Sequence, residues 1–543
     1  MFRILILFSL FSLFSLFSTS IYSQNTIGVL SNLPSSFDGY TLFNSNGDTT
    51  TYLIDNCGYK MHTWHSEYNP NLSVYLLENG NLLRSTKRQG VKGCEILDWQ
   101  SNVVWSYIAS PSLDLHHDIE MLPNGNIIFL GRELIPAADV LSQGGPNSDR
   151  LVDIMIEIDT STNQIVWQWS AWDHLIQDVD SLLPNYGVIS NNPQRMDVNK
   201  FGLYGNPNSS DWLHANSIDY NADLDQIIIN FAKIGEFWII DHSTTITESQ
   251  GSTGGLSNMG GDILYRWGNA KNYERGTFSD VILEFQHDPN WIPSGYADAG
   301  KILIFNNGRN RGYSSVDLIS LPLDSVSGYN YILDSIAAYS PSAPEWSYSD
   351  SANFYSGFIS GAQRLENGNT LICSGEEGHI FEVEHLTDSI VWSYLIPFDN
   401  FLLPQSQGDP NIASECFRAT RYGFDYDGFD NITLFQDQRI ELNSFPDESF
   451  DTLIINNSIL WNDMNLSVSG DYLFQLPSAN GCDSTANLNL TILNNTSILD
   501  NSSNDNYVVE IVDLFGRSVR NKFNQPLYYI YKDGTVKKRF IIK

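Results

Sequence analysis

Positive charge is what this sequence has least of. Lysine and arginine together number 29 against 63 aspartates and glutamates, a formal net charge of -34 over 543 residues. Such a surface repels nucleic acid and anionic membrane, and it repels small anions too unless donors are gathered locally against the average field. Cysteine is nearly as sparse. Cys57, Cys94, Cys373, Cys416 and Cys482 are scattered, odd in number and never in a C-x-x-C spacing, which excludes a zinc ribbon and a disulfide-dense scaffold and leaves either a Cys57–Cys94 bridge or buried free thiols. Long apolar runs are confined to the N-terminus, where Arg3 precedes Ile4 to Phe17, interrupted by Ser9, Ser12 and Ser15 and followed by small and polar residues to Gln24. That stretch is too short and too rich in serine to span a bilayer, and it has the grammar of a signal peptide over residues 1–23. The expected location is therefore secreted or at the cell surface.

Three signatures fail on inspection. Gly295 to Lys301 spells G-x-x-x-x-G-K, but Ile302 stands where a phosphate loop needs serine or threonine, and an apolar strand follows instead of a helix. Asp425-Tyr426-Asp427-Gly428 lacks the later glutamate of a calcium loop. Asp241-His242-Ser243 is triad-like only in linear order, without the turn that would expose Ser243. No cofactor is expected.

What is abundant is apolar and aromatic: 42% hydrophobic and 13% aromatic residues, ample for a packed core. A phrase recurs through the chain, made of an Asn-Gly turn, an apolar strand, a strand like Ile-Glu-Ile-Asp and a closing Val-Trp. It is clearest at Leu122 to Phe129 with Ile156 to Asp159 and Ile165 to Trp169, and it returns around Asn79-Gly80 with Trp105 and Asn367-Gly368 with Trp392. Weaker copies begin at Leu224 and Ala299, and a partial copy with Tyr52 to Asp55 and Trp64 has lost its opening strands. Asn-Gly between apolar runs signals a hairpin, and both turn positions are expected at positive φ. Six units of four short strands predict an all-β chain, a six-bladed β-propeller over residues 25–438.

Residues 440–493 read as a small β-sandwich-like module and 494–506 as a polar linker. Residues 507–543 contain Phe515-Gly516-Arg517 and a basic, strand-rich end, and they resemble the C-terminal sorting domain of the type IX secretion system. That resemblance implies secretion machinery as a partner.

The candidate site is a set of histidines. His117 in His116-His117-Asp118, His214 in Asp211-Trp212-Leu213-His214-Ala215-Asn216-Ser217 and His287 in Gln286-His287-Asp288 each precede a strand that opens a repeat. First strands line a propeller's channel, so the three are expected to converge on its axis. Gathered imidazoles can bind metal, move protons or attack an electrophile. These segments, together with Ile240-Asp241-His242-Ser243-Thr244, Tyr265-Arg266-Trp267-Gly268-Asn269 and Ser360-Gly361-Ala362-Gln363-Arg364, resemble the bacterial arylsulfate sulfotransferase family. The resemblance implies sulfuryl transfer from an aryl sulfate donor to a phenolic acceptor without a nucleotide sulfate donor. It implies His287 as nucleophile through a sulfohistidine, with His117 or His116 and His214 holding sulfuryl oxygens or handling the phenolic proton, and Asn216, Lys233, Arg266 and Arg364 as candidates for substrate binding.

One departure stands out. Where the family places an arginine, this chain has Asn230-Phe231-Ala232-Lys233; Ala232 binds no anion, in an extended strand Lys233 would point to the opposite face, and Arg266, Arg364, Arg418 and Arg421 are the other candidates for the basic group. A catalytically lapsed surface propeller and a histidine metal-site enzyme remain the alternative functions.

Overall fold

A computed structural model describes residues 25–201, 210–410, 414–442, 448–456, 458–461, 464–477, 481–493, 507–513, 517–519 and 526–540. The stretch expected to be a signal peptide (1–23), the expected linker at 494–506 and residues 514–516 of the tail motif lie outside them. The regular structure of the described residues is nearly all strand, mostly in antiparallel sheets, and its arrangement is propeller-like.

The repeated phrase corresponds to sheets of four strands. The first strands of the successive sheets are β1 (Asn69–Leu76), β2 (Asp114–Met121), β3 (Ala215–Asn221), β4 (His287–Trp291), β5 (Gly361–Arg364) and β6 (Cys416–Gly423). Each packs against the first strand of the sheet before it and the sheet after it, and β6 packs against β1, so these contacts close a cycle. The partial copy near the N-terminus is completed from far away. Its opening strands are Gly39–Ser45 and β6, paired from Gly39 opposite Gly423 to Ser45 opposite Cys416. The strand Gly28–Asn32 joins the outer edge of the β5 sheet against Ile390–Leu395.

The Asn-Gly turns behave differently from the hairpin expectation. Gly80, Gly125 and Gly368 have φ of 81°, 85° and 89° while the asparagines before them stay at negative φ. Each asparagine side chain instead accepts the backbone N–H two residues on, as Asn124 does from Asn126 at 2.9 Å. One left-handed residue after a tight turn closes the hairpin, so glycine is needed at one position only. The closing tryptophans pack between sheets: Trp169 and Trp392 are fully buried, and their indole N–H groups donate to Gly261 O and Asn56 O, each at 2.8 Å.

Beyond the ring, Glu448–Ile455 and Gly470–Pro477 flank Asp483–Ile492 in a three-stranded sheet around Ile455, Leu466, Leu488 and Leu490. Val508–Val512, Pro526–Tyr531 and Val536–Phe540 form another sheet. The disulfide joins Cys57 to Cys482, 425 residues apart, rather than Cys57 to Cys94. Cys94 is a buried free thiol, because its strand (Val91–Leu97) directs it into the core beside Leu83 and Phe129.

Candidate active site

The strand that opens each sheet is kinked where the histidines sit. The β2, β3 and β4 ladders slip register between Phe129 and Gly131, between Ala215 and Ser217 and between His287 and Asn290. His117, His214, Phe285 and Asp288 have φ of 58°, 59°, 61° and 57°. Left-handed backbone at residues with side chains costs of order 1–3 kcal/mol each and persists only where surrounding contacts impose it. Bulges at the rims of closed sheets re-aim side chains, and here they turn imidazoles from three adjacent sheets toward one another.

The His117 and His214 rings have centroids 5.2 Å apart, and His116 Nδ1 lies 2.7 Å from His117 Nδ1. That contact requires one ring to donate and the other to accept. His214 and His287 are joined through Phe285, whose ring is 6.0 Å from the first and 5.9 Å from the second. His287 is 3% exposed. Its Nδ1 faces two acceptors, Phe285 O at 3.1 Å and Asn307 Oδ1 at 2.8 Å. The orientation of Asn307 is fixed because its Nδ2 donates to Ser356 O at 2.8 Å and Ile359 O at 3.0 Å. His287 therefore carries its proton on Nδ1, which leaves the Nε2 lone pair free. Burial, helped by His214 and Arg418, pushes the His287 pKa down to about 3, so the ring is neutral at physiological pH. Burial and the neighbouring histidines hold His117 well below its usual range as well.

His214 Nδ1 is 2.9 Å from Asp211 Oδ2, which also receives Lys233 Nζ at 2.6 Å. Ala232 and Lys233 sit in a tight turn between Gln226–Phe231 and Glu236–Asp241, not in an extended strand. The turn lets Lys233 fold back onto Asp211, which corrects the expectation that it points away. Ala232 is fully buried and only its backbone N–H takes part, donating to His214 O at 3.1 Å.

The other expected anion binders are committed elsewhere. Arg266 is buried against Glu236, with Nη2 2.6 Å from Oε2 and Nη1 on Pro193 O and Arg195 O. Arg364 reaches Gly368 O, Thr370 and, at 3.3 Å, Asp298 at the far end of β5. Asn216 is fully buried and donates to Gln286 O at 3.0 Å, so it anchors the residue before His287 from within the sheet. His242 bridges Glu157 and Asp225 at 3.0 and 2.7 Å, which raise its pKa to about 9 against the opposing effect of burial; Ser243 bonds Asp241. No triad forms there.

Of the arginines that the sequence offers in place of the one missing at Ala232, Arg418 is the one that reaches the histidine cluster, while Arg421 is buried against Glu382. Arg418 lies on β6, with Nη2 3.0 Å from Asp118 Oδ2 and 2.9 Å from Asp288 Oδ1, and it also contacts Tyr75 Oη. Asp118 follows His117 and Asp288 follows His287, so one guanidinium ties two His-Asp steps together across sheets. Burial, with the negative Asp118 nearby, raises Asp288 to about 7 in spite of Arg418. Gly361 is obligatory beside this cluster, because a Cβ there would lie 2.3 Å from Asp288 Oδ2. Among the described residues no group of three or more His, Cys, Asp or Glu side chains is arranged to hold a metal ion.

A family model described as arylsulfotransferase (ASST) matches residues 17–393. This chain belongs to the arylsulfotransferase family. The match supports arylsulfotransferase-type activity and covers His117, His214, His287 and Asn307, while Arg418 lies beyond it. Similar solved structures include a protein of unknown function from Bacteroides caccae, at 11% identity over 71% of this chain and 98% of that chain with a TM-score of 0.37. Kuenenia stuttgartiensis hydrazine synthase matches at 12% identity, 54% and 71% coverage and a TM-score of 0.32. The Myceliophteria thermophila Cps50 (Swd1) beta-propeller domain matches at 12% identity, 74% and 97% coverage and 0.33. Likeness of this degree carries no inference about chemistry. No curated protein matches in sequence.

If Asn307 holds the reactive tautomer of His287, Asn307→Ala should lower kcat for aryl sulfate turnover by roughly 10- to 100-fold with little change in KM. Steady-state kinetics with 4-nitrophenyl sulfate read this directly, and an unchanged kcat would remove Asn307 from the site.

Proposed function

We propose that this chain is an exported six-bladed β-propeller that transfers a sulfuryl group from an aryl sulfate to a phenol through a sulfohistidine at His287. Six sheets whose first strands contact in a closed cycle support the blade count. The observation that carries the chemistry is a neutral, buried imidazole with its Nδ1 proton pinned by Asn307 and its Nε2 lone pair available.

In the first half-reaction His287 Nε2 attacks sulfur, the N–S bond forms as the aryl O–S bond breaks, and the phenolate leaves. In the second, the acceptor hydroxyl gives its proton to His214 Nε2, its oxygen attacks sulfur and the S–N bond breaks, returning neutral His287. His214 suits the role of base because Asp211 accepts from its Nδ1 and stabilises the imidazolium that forms, the logic of a His-Asp pair in acyl transfer. His116 Nε2 lies 3.5 Å from Asp153 Oδ1 and carries its proton there, so His116 Nδ1 accepts from His117 Nδ1 and fixes the His117 ring beside His214. Phe285 and Phe417, the latter 6.2 Å from His117, pack against the histidines and give the site an aromatic wall.

Two half-reactions on one nucleophile give ping-pong kinetics. With 4-nitrophenyl sulfate, the purified protein should release a burst of nitrophenolate equal to the active sites, then turn over in proportion to added phenol. His287→Ala should abolish both phases, by at least about 10³-fold. Because the lowered pKa keeps His287 neutral down to about pH 3, protonation of His287 should not slow the burst rate constant between pH 8 and pH 5. An ordinary histidine would lose roughly 30-fold of its neutral form at pH 5. Absence of turnover in the unaltered protein would leave the lapsed-propeller reading in its place.

Export is supported by the N-terminal pattern and by the Cys57–Cys482 disulfide, a bond that persists in oxidising compartments. The type IX sorting role assigned to 507–543 is supported by the sequence resemblance; the described part is the sheet Val508–Val512, Pro526–Tyr531 and Val536–Phe540. Deleting residues 507–543 should strand the protein in the periplasm of its host, and unchanged appearance in the medium or on the surface would refute the assignment.

A further inference from the structure

An anionic donor entering this site meets an electrostatic deficit. The protein's net charge is -34, Ala232 stands where the resemblance implies an arginine, and burial holds His116, His117 and His287 in their neutral forms. The basic side chains nearest the histidines are already engaged in ion pairs. Arg418 lies between Asp118 and Asp288, Lys233 is on Asp211, and Arg132 has its Nε 2.7 Å from Asp114 with Nη1 3.8 Å from Asp211. Each of these heads is held by a carboxylate and is not turned to a ligand.

Arg309 is the exception. It is exposed, and among the described residues no carboxylate lies within ion-pair distance of it. Its guanidinium carbon sits 4.2 Å from the centroid of Phe285, the ring that packs between His214 and His287. The loop that presents it begins at Asn307, the residue that orients the nucleophile. The nearby Glu284 is spent on the backbone: its Oε2 accepts Asn310 N at 2.9 Å and Arg311 N at 3.1 Å, and its carbonyl accepts Gly308 N at 3.0 Å. Arg311 turns back to Tyr313 O, Asn306 O and Ser315. The loop is thus pinned by groups that leave the Arg309 head uncommitted over an aromatic face.

We infer that Arg309 is the cation that recognises the sulfate ester of the donor, taking over from another loop the charge missing at Ala232. The inference rests on the proposed reaction for the identity of the ligand, an aryl sulfate monoester. A planar guanidinium offers paired N–H donors to two sulfate oxygens and keeps its charge at every relevant pH. Its place over Phe285 holds the guanidinium at the ring that touches both His214 and His287, at the mouth of the histidine cluster. Arg309 acts in binding and discriminates charged esters from neutral aromatics; the covalent steps belong to His287.

The test uses the full chain carrying His287→Ala, titrated calorimetrically with 4-nitrophenyl sulfate and, in parallel, with uncharged 4-nitroanisole. Adding Arg309→Ala should weaken binding of the sulfate ester by roughly 10- to 100-fold, the weight of a charge-assisted hydrogen-bond pair. Binding of the neutral analogue should stay unchanged, and Arg309→Lys should recover part of the loss. In the protein with His287 intact, Arg309→Ala should raise the donor KM and leave kcat at saturating donor within about threefold, the pattern of lost ground-state binding. If the ester binds through Arg309 but the unaltered protein turns nothing over, the reaction falls and the anion site stands. If Arg309→Ala turns over with an unchanged donor KM, or if the ester binds no better than the neutral analogue before Arg309 is changed, the Arg309 inference is overturned.

Discussion

The pairing of Gly39–Ser45 with Cys416–Gly423 is the contact on which the rest of the arrangement depends. It joins chain segments nearly four hundred residues apart. Without it the cycle of first strands would end in two open sheet edges, each a row of unsatisfied N–H and C=O groups. Closure also delivers Arg418 to the axis, where it meets Asp118 and Asp288 from two other sheets. Replacing an unpaired pair of buried carboxylates by a triad with one guanidinium is the difference between a repulsive and a tolerable interior. The same ion cluster fixes the spacing of His117 and His287, because each of those histidines is followed directly by one of the aspartates.

Around that hub the site is made by departures from ideal strand geometry. A regular strand alternates its side chains between faces, so neighbouring residues such as His116 and His117 would point to opposite sides. The register slips in β2, β3 and β4 and the left-handed backbone at His117, His214, Phe285 and Asp288 break that alternation at one level of the ring. Conformational cost of this kind is sustained by the hydrogen bonds around it. Asn216 and Asn230 hold Gln286 O at 3.0 and 2.8 Å, and Asn307 holds His287. Buried amides here do the work of placement, and the imidazoles are left with free nitrogens for chemistry.

The repeats, their turns and the histidines were legible because they are local: each is a short pattern within one hairpin. The order of strands in the β1, β2 and β5 sheets follows directly from the Asn-Gly turns and closing tryptophans. What was not legible is what depends on distant pairing. β6 reads Cys416-Phe417-Arg418-Ala419-Thr420-Arg421-Tyr422-Gly423, an alternation carrying two arginines, and nothing local marks it as the missing opening strand of a sheet begun near residue 39. For the same reason nothing local singles out Arg418 from Arg266, Arg364 and Arg421 as the arginine of the site, or matches Cys57 with Cys482. Arg266 and Arg364 were drawn in by their motifs, yet both side chains serve the interior of their own sheets. Ala232-Lys233 was read as strand because its flanks are apolar, but the chain turns there and brings Lys233 back to Asp211. Positive φ at histidine, phenylalanine and aspartate leaves no compositional trace, since no glycine announces it.

The central claim is that a covalent adduct passes through His287. It is tested most directly by quenching the protein with 4-nitrophenyl sulfate in the absence of any phenol and sequencing the peptides by mass spectrometry under conditions that preserve N-sulfo groups. The account predicts the mass of one added sulfuryl group on the peptide containing Phe285-Gln286-His287-Asp288, localised to His287 and discharged when phenol is added. A sulfuryl group found on another residue, or turnover with no adduct trapped at any time, would contradict it.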